Sequence, residues 1–415
     1  MKLLQSVRRW VGVALLLPPL LSCQGRSLPQ IGSSQPVIPG VEVLLNEQME
    51  RLAGRRVGLI TNPTGVTRGL QATVDVLNEH PQIRLKALFG PEHGVRGNRA
   101  AGAPVATYID EKTGLPVFSL YGAVKKPTAE MLENIDVLRL DIQDVGVRPY
   151  TYIYTMAYAM QAAKEQNIPI IVLDRPNPMG GVRVEGPVLE ERFSSFIGLY
   201  PIAYVHGMTV GELARFFNEE FGIGADLHVV PMRGWRRDMV FSDTGLPWVP
   251  TSPHVPQSVT PFFQAAVGAL GELTSVNIGI GYTLPFQLVG SEWIDGERLC
   301  EALNALNLPG VRFRPLHYVP FYGNKAGVDL QGVQLYILDQ RFKPVTTQIA
   351  LIHTLARLFS PDTLFAGNLR MFRLAMGTDC IDQAIRRGDD LAAVIALADI
   401  GLEAFLQKRQ KYLLY

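Results

Sequence analysis

Short apolar runs alternate with longer amphipathic stretches along most of the chain, and nearly every apolar run closes on Gly, Pro or Asx. β-Branched and leucine-rich runs at 56–60, 84–89, 117–120, 137–142 and 168–173 predict five strands, and the stretches 73–79 and 128–134 predict helices between them. The segment 137–178 (VLRLDIQDVGVRPYTYIYTMAYAMQAAKEQNIPIIVLDRPNP) is a complete strand, loop, helix and strand, the length of one parallel crossover unit. The alternation implies a doubly wound α/β domain whose five strand-end loops share one edge of a parallel sheet. That edge is where ligands bind in open parallel sheets, because the loops there vary while the strands hold them.

The body starts at 41–45 with a short helix to 52, and further strands are expected at 200–204 and 227–231. Thr209 followed by Glu212 is a capping box and predicts a helix start, which makes Glu212 structural. Helical periodicity at 261–270, 296–307, 346–359 and 391–412, with strands at 311–315 and 333–338, predicts a second, smaller α/β domain. The Pro-marked run around Trp248 places the boundary between residues 41–245 and 246–415.

At 415 residues, 47% hydrophobic and 19% charged, the chain has the makeup of an ordinary globular protein with room for two cores. A net charge of +1, without basic or acidic blocks, argues against a nucleic-acid partner. At the amino terminus Lys2, Arg8 and Arg9 precede an apolar run at 11–21, and Leu20-Leu21-Ser22-Cys23 follows. Residues 1–22 read as a signal peptide and 23–40, rich in Ser, Pro, Gly and Gln, as a tether. Leu-Leu-Ser-Cys resembles the lipobox of bacterial lipoproteins, which implies a lipid anchor on Cys23, and Gln24 would favour the periplasmic side of the outer membrane. Cys300 and Cys380 then remain, either as a disulfide or as free thiols.

Phosphate-loop, nucleophile-elbow and His-Glu-x-x-His motifs are missing, and no metal-ligand spacing is found. The loops instead carry carboxylates and aromatics. Glu92 lies between Pro91 and His93 in a glycine-rich loop directly after an apolar strand, where a desolvated carboxyl can serve as a general acid or else simply cap a nearby helix or pair with Arg96. Asp141 and Gln143 end the fourth strand on one face, while Asp144 points the other way or caps a helix. Arg148, Tyr150, Tyr152 and Tyr154 form either a wall for a sugar ring or an ordinary buried helix face. Arg175 and Asn177 sit in the rigid loop Asp174-Arg-Pro-Asn-Pro178, and Arg175 either clamps a ligand carboxylate or bonds neighbouring carbonyls.

Seven separated motifs, in order from residue 41 onwards, resemble the exo-β-N-acetylmuramidase (NamZ/YbbC-like) family. They are Thr61-Asn-Pro-Thr-Gly65, Leu88-Phe-Gly-Pro-Glu-His-Gly-Val-Arg-Gly97, Asp141-Ile-Gln-Asp-Val-Gly146 with Arg148 and Tyr150-Thr-Tyr152, Asp174-Arg-Pro-Asn-Pro178, Glu185-Gly-Pro187, His206-Gly-Met-Thr-Val-Gly-Glu212 and Leu284-Pro-Phe286. The resemblance implies a Rossmann-like domain fused to a smaller α/β domain, with a cleft between them. It also implies hydrolysis that frees terminal N-acetylmuramic acid from the non-reducing end of peptide-free cell-wall glycan. Glu92 matches the family's proposed catalytic carboxylate, and Asn62, His93, Asp141, Gln143, Arg148, Tyr150 and Tyr152 are implied cleft residues, to which Arg175, Asn177 and His206 are added as candidate substrate contacts. The chain departs from the family pattern at His254, where Asn is common, and in 272–282, which keeps Glu272 but lacks the usual arginine.

This chemistry needs an acid at the leaving oxygen, expected to be Glu92, and a second group: Asp141, Glu272 or the substrate's own acetamido group. A lactyl carboxylate calls for a cation, expected from Arg148, Arg175 or Arg96. No metal or cofactor is required. Rival readings are a sugar-binding lipoprotein without turnover, and a metal-dependent hydrolase gathering Glu92, His93, Asp141, Asp144 and His206.

Overall fold

The computed structural model describes residues 36–97 and 107–415. The expected signal peptide, Cys23 and nearly all of the expected tether therefore lie outside the described residues. The chain opens with α1 (Gly40–Glu47) and then alternates through β1 (Arg56–Thr61), α2 (Thr73–Glu79), β2 (Arg84–Gly90), β3 (Tyr108–Ile109), β4 (Pro116–Ser119), α3 (Ala129–Leu132), β5 (Val137–Asp141), α4 (Tyr152–Glu165), β6 (Ile170–Leu173), α5 (Val210–Glu220) and β7 (Leu227–Val230). These strands form one sheet in the order β3-β4-β2-β1-β5-β6-β7, parallel except for the short β3. β5 and β6 are buried at every position, as expected of strands covered by helices on both faces. One apolar core lies on the α1 and α2 side, and a second joins the sheet to α4 and α5.

The strand order fixes where a ligand can enter. From β1 the chain winds outward through β2 to β4, then crosses back to β5 on the other side of β1 and continues to β7. The connections after β1 and β5 therefore diverge, leaving a crevice at their carboxyl ends. Asn62 follows β1, Gln143 and Asp144 follow β5, and Glu92 follows the neighbouring β2.

A second sheet is antiparallel, in the order β8-β10-β9, from β8 (Leu288–Ser291), β9 (Val311–Tyr318) and β10 (Leu330–Ile337). Around it lie α6 (Thr260–Gly271), α7 (Gly296–Ala305), α8 (Pro344–Phe359) and the short helices α9 (Pro361–Leu364), α10 (Leu369–Met376), α11 (Cys380–Arg387) and α12 (Leu391–Leu397). α13 (Leu402–Arg409) returns to the first sheet, where Phe405 and Tyr412 meet the Phe216 ring of α5 edge-on at 5.8 and 5.3 Å. The last residues are pinned there as well: Tyr415 Oη donates to Asp174 Oδ2 at 2.7 Å and Leu414 N to Glu212 Oε1 at 2.9 Å.

Three expectations are corrected. Residues 200–204 form no strand, because Arg148 takes their carbonyls: its backbone N–H donates to Tyr204 O at 2.7 Å and its Nη1 to Ile202 O at 3.1 Å. The stretch 391–412 is broken rather than continuous, since Gly401 turns into the left-handed region (φ 81°) between α12 and α13. β8 was not anticipated; its run is four residues long and contains Gly290, packed beneath the Tyr318 ring. Cys300 and Cys380 are free thiols, Cys300 buried with its Sγ donating to Phe313 O at 3.2 Å.

The Thr209 capping box forms as expected, with Thr209 Oγ1 accepting from Glu212 N at 3.2 Å and Glu212 Oε2 accepting from Thr209 N at 3.0 Å. Thr209 Oγ1 also donates to Asp174 Oδ2 at 2.8 Å. Thr209→Ala is expected to lower unfolding free energy by about 1 to 2 kcal/mol, read from urea denaturation.

Candidate active site

The sheet edge is built on a buried ion pair. Asp141 ends β5 fully buried, and its carboxylate accepts from Arg175 Nε at 2.6 Å, Arg175 Nη2 at 2.9 Å and Thr73 Oγ1 at 2.5 Å. Arg175 Nη2 also donates to Val66 O at 2.8 Å. Both Asp141 oxygens are thus committed to holding the loops after β1, β5 and β6 together. This geometry removes Asp141 from the second catalytic role and Arg175 from the role of open carboxylate clamp.

Glu92 is presented differently. Gly94 N donates to Pro91 O at 3.0 Å, which closes a turn with Glu92 and His93 at its two central positions. His93 sits in the left-handed region (φ 73°), a conformation that costs a non-glycine residue about 1 kcal/mol or more. Beneath it, a Cβ on Gly90 would come within 3.1 Å of Val95 N, so the loop doubles back tightly on the strand end. Glu92 is half-buried and lies within electrostatic reach of Tyr121, which follows β4 on the same sheet edge. Burial, with the charge and hydrogen bond of Glu92 added, pushes the Tyr121 phenol up to about 12, so Tyr121 remains a donor. Tyr121 was missed among the candidates, although Tyr-Gly at the end of the third predicted strand was its signal.

The tyrosine run divides by depth. Tyr154 is buried and donates to Arg148 O at 3.1 Å, while Tyr150 and Tyr152 meet edge-on at 4.8 Å between ring centres. Tyr152 Oη donates to Thr251 O at 2.6 Å and Tyr150 Oη to Thr251 Oγ1 at 3.0 Å. These bonds hold the Pro-rich 247–256 loop over the crevice. Tyr152 also lies beside the Asn62 amide and feels the charge of Glu92. His254, three residues beyond Thr251, accepts or donates at 2.9 Å with Tyr322 Oη, and its pKa is lowered by burial and by nearby His93. Asn62, Glu92, His93, Tyr121, Tyr150, Tyr152 and His254 are therefore brought together.

Other candidates are structural. Arg148 is fully buried, and its Nη atoms donate to Pro187 O at 2.7 Å, Ile202 O at 3.1 Å and Ala375 O at 2.7 Å, so it cannot serve as a cation in the cleft. Arg96 is paired with Asp110 and Asp75 at 2.8 and 2.9 Å. Asn177 bonds Met208 O at 3.0 Å and Met179 N at 2.9 Å. Buried His206 accepts from Met208 N at 3.2 Å, and its Nε2 faces Asp144 Oδ2 at 3.6 Å. Asp144 accepts from Gly146 N at 2.7 Å rather than capping α4. Gln143 donates to Asp144 O at 2.8 Å and Pro176 O at 2.7 Å, which positions loops instead of substrate. Among the described residues no group of three or more His, Cys, Asp and Glu side chains is arranged to hold a metal ion.

Glu272, at the end of α6, faces a separate recess of about 290 Å³ shared with His254, Gln264 and Pro149. Burial raises its pKa from the ordinary carboxylate value. Because His254 borders both His93 and this recess, the recess adjoins the Glu92 turn.

Asp141→Asn, which leaves Arg175 buried without its counter-charge, is expected to lower unfolding free energy by about 3 to 5 kcal/mol in urea titration.

Comparison with known proteins agrees with this geometry. Residues 57–259 match the model of the N-terminal part of exo-β-N-acetylmuramidase NamZ and residues 265–415 that of its C-terminal part. The chain is 49% identical over 387 residues to the peptidoglycan β-N-acetylmuramidase NamZ of Bacillus subtilis strain 168, covering 93% of each. Two crystal structures of DUF1343 family proteins from Bacteroides fragilis superpose with TM-scores of 0.86 and 0.76, at 44% and 31% identity, each spanning 92% of this chain and 99% of the other. With both halves matched in order and the sheet-edge motifs assembled into one crevice, the chain belongs to the exo-β-N-acetylmuramidase NamZ family.

Proposed function

We infer that the protein is an exo-acting glycoside hydrolase that releases terminal N-acetylmuramic acid from the non-reducing end of peptide-free peptidoglycan fragments, in cell-wall turnover. The observation that carries the residue assignment is the Glu92 turn: a half-buried carboxyl on a strained loop at the switch-point edge, beside Tyr121 and bordered by Tyr152 and His93.

In this reading Glu92, in its acid form, gives its proton to the glycosidic oxygen as the bond from C1 breaks, and the leaving sugar departs with a hydroxyl. Positive charge develops at C1 and the ring oxygen. A water supplies the new C1–O bond and its proton returns to a carboxylate, either directly or after capture of C1 by a neighbouring group. With Asp141 committed to Arg175, Glu272 is the remaining carboxyl from the original candidates for the second role. Tyr121 positions Glu92, and the Tyr150–Tyr152 pair offers an apolar edge with its hydroxyls turned toward the loop that covers the crevice.

We also propose that the mature chain is lipid-anchored through Cys23 in the cell envelope, on the periplasmic side of the outer membrane; the Leu20-Leu21-Ser22-Cys23 motif behind a basic and apolar leader supports this. Among the described residues no helix is long and apolar enough to cross a membrane.

Glu92→Gln is expected to reduce the turnover number by about 100-fold or more, measured as N-acetylmuramic acid freed from a muramyl-glucosamine disaccharide. Near-native turnover would remove Glu92 from the mechanism. Tyr121→Phe, which removes the phenol beside Glu92, should lower turnover by about tenfold while leaving the melting temperature unchanged. Cys23→Ser is expected to abolish incorporation of radiolabelled palmitate into the expressed protein; retained label would exclude the anchor.

A further inference from the structure

The recess beside His254 has a floor that protein packing alone does not explain. On α6, Gln264, Gly268 and Gly271 recur at helical spacing on the face that lines it, with Glu272 following. Gly271 has a packing reason, since a Cβ there would lie 2.3 Å from Ile278 Cδ1. Gly268 has none of that kind: a Cβ would meet Tyr204 Oη at 3.4 Å and Gln264 Cγ at 3.7 Å, both ordinary contacts. Its backbone is helical, so conformation does not call for glycine, and in a helix interior glycine is less favourable than alanine. What Gly268 provides is empty volume.

Two further observations give that volume a chemistry. Gln264 Oε1 is buried with no hydrogen-bond partner, an acceptor without a donor. The lining of this recess of about 290 Å³ mixes Val147, Ile278, Phe286 and Ala375 with His254, Asn277 and Asn324. Apolar side chains beside one buried, unpartnered amide acceptor are complementary to an acylamino group, whose methyl meets the apolar side chains while its N–H reaches the acceptor. We propose that this recess is the subsite for the 2-acetamido group of the terminal sugar, with Gln264 Oε1 accepting the amide N–H and Gly268 setting the length of acyl chain admitted. The assignment rests on the muramidase reading above. Glu272 lines the same recess.

The test compares kinetic constants for muramyl-glucosamine substrates carrying N-acetyl, N-propionyl, N-butanoyl or a free amino group on the muramyl ring. The unmodified enzyme should lose about tenfold or more in kcat/KM on the free amine and on the longest acyl chain. Gly268→Leu, which narrows the recess at its floor, and Gln264→Leu, which removes the acceptor, should each raise KM for the N-acetyl substrate about tenfold with kcat within about threefold and the melting temperature preserved. Equal turnover of all four substrates by the unmodified enzyme overturns the proposal without recourse to any variant. Native KM in Gly268→Leu, alongside an inactive Glu92→Gln, overturns the subsite and leaves the muramidase reading standing. An active Glu92→Gln with the acyl preference intact does the reverse.

Discussion

The buried Asp141–Arg175 pair is the constraint on which the loop edge depends. A buried ion pair holds together only when each oxygen and each N–H finds a partner, since taking two charges out of water costs several kcal/mol per ion. Here the partners come from separate elements: the guanidinium from the loop after β6, a hydroxyl from Thr73 at the start of α2, and Val66 O from the loop after β1. Thr61 Oγ1 donates to the Asp141 carbonyl at 2.8 Å, and Gly65 packs so closely that a Cβ would lie 2.9 Å from that same oxygen. Loops that meet this many conditions have little freedom, and the crevice at the carboxyl ends of β1 and β5 inherits that rigidity.

On this rigid base the Glu92 turn stands on β2, next to β1 in the sheet, and carries backbone strain in His93, with Tyr121 nearby. The second half of the chain is fastened to this edge by different means. Arg148 reaches Ala375 O of α10, Tyr150 and Tyr152 hold Thr251, and the terminal Tyr415 phenol binds Asp174. A cleft whose walls are joined by buried hydrogen bonds keeps a half-buried carboxyl and the recess beside it at a fixed separation, which is what positioning a glycosidic bond demands.

His254, Ile278 and Ile280 line the recess that includes Glu272. The three arginines expected to meet a lactyl carboxylate donate instead to carbonyls or carboxylates of the protein itself.

Much of the fold was legible because its causes are local. Apolar runs buried on both faces mark parallel strands, glycine and proline mark their ends, and Thr209 with Glu212 three residues on marks a helix start; each of these reads out within a few residues. The motifs also placed Glu92 at a strand end, on the edge where ligands bind. Which carboxylate is locked into a buried ion pair was decided only by the tertiary structure. Asp141 and Glu92 look alike along the chain, each polar at the end of an apolar strand, yet one meets a guanidinium 34 residues away and the other a phenol 29 residues away. Likewise the Tyr150–Thr251 bond, the Arg148–Ala375 bond and the open face at Gly268 join residues 101, 227 and 64 positions apart, the last being Gly268 and Tyr204. Hydrogen bonding and charge pairing depend on a few ångströms in space, a distance that periodicity along the chain does not encode.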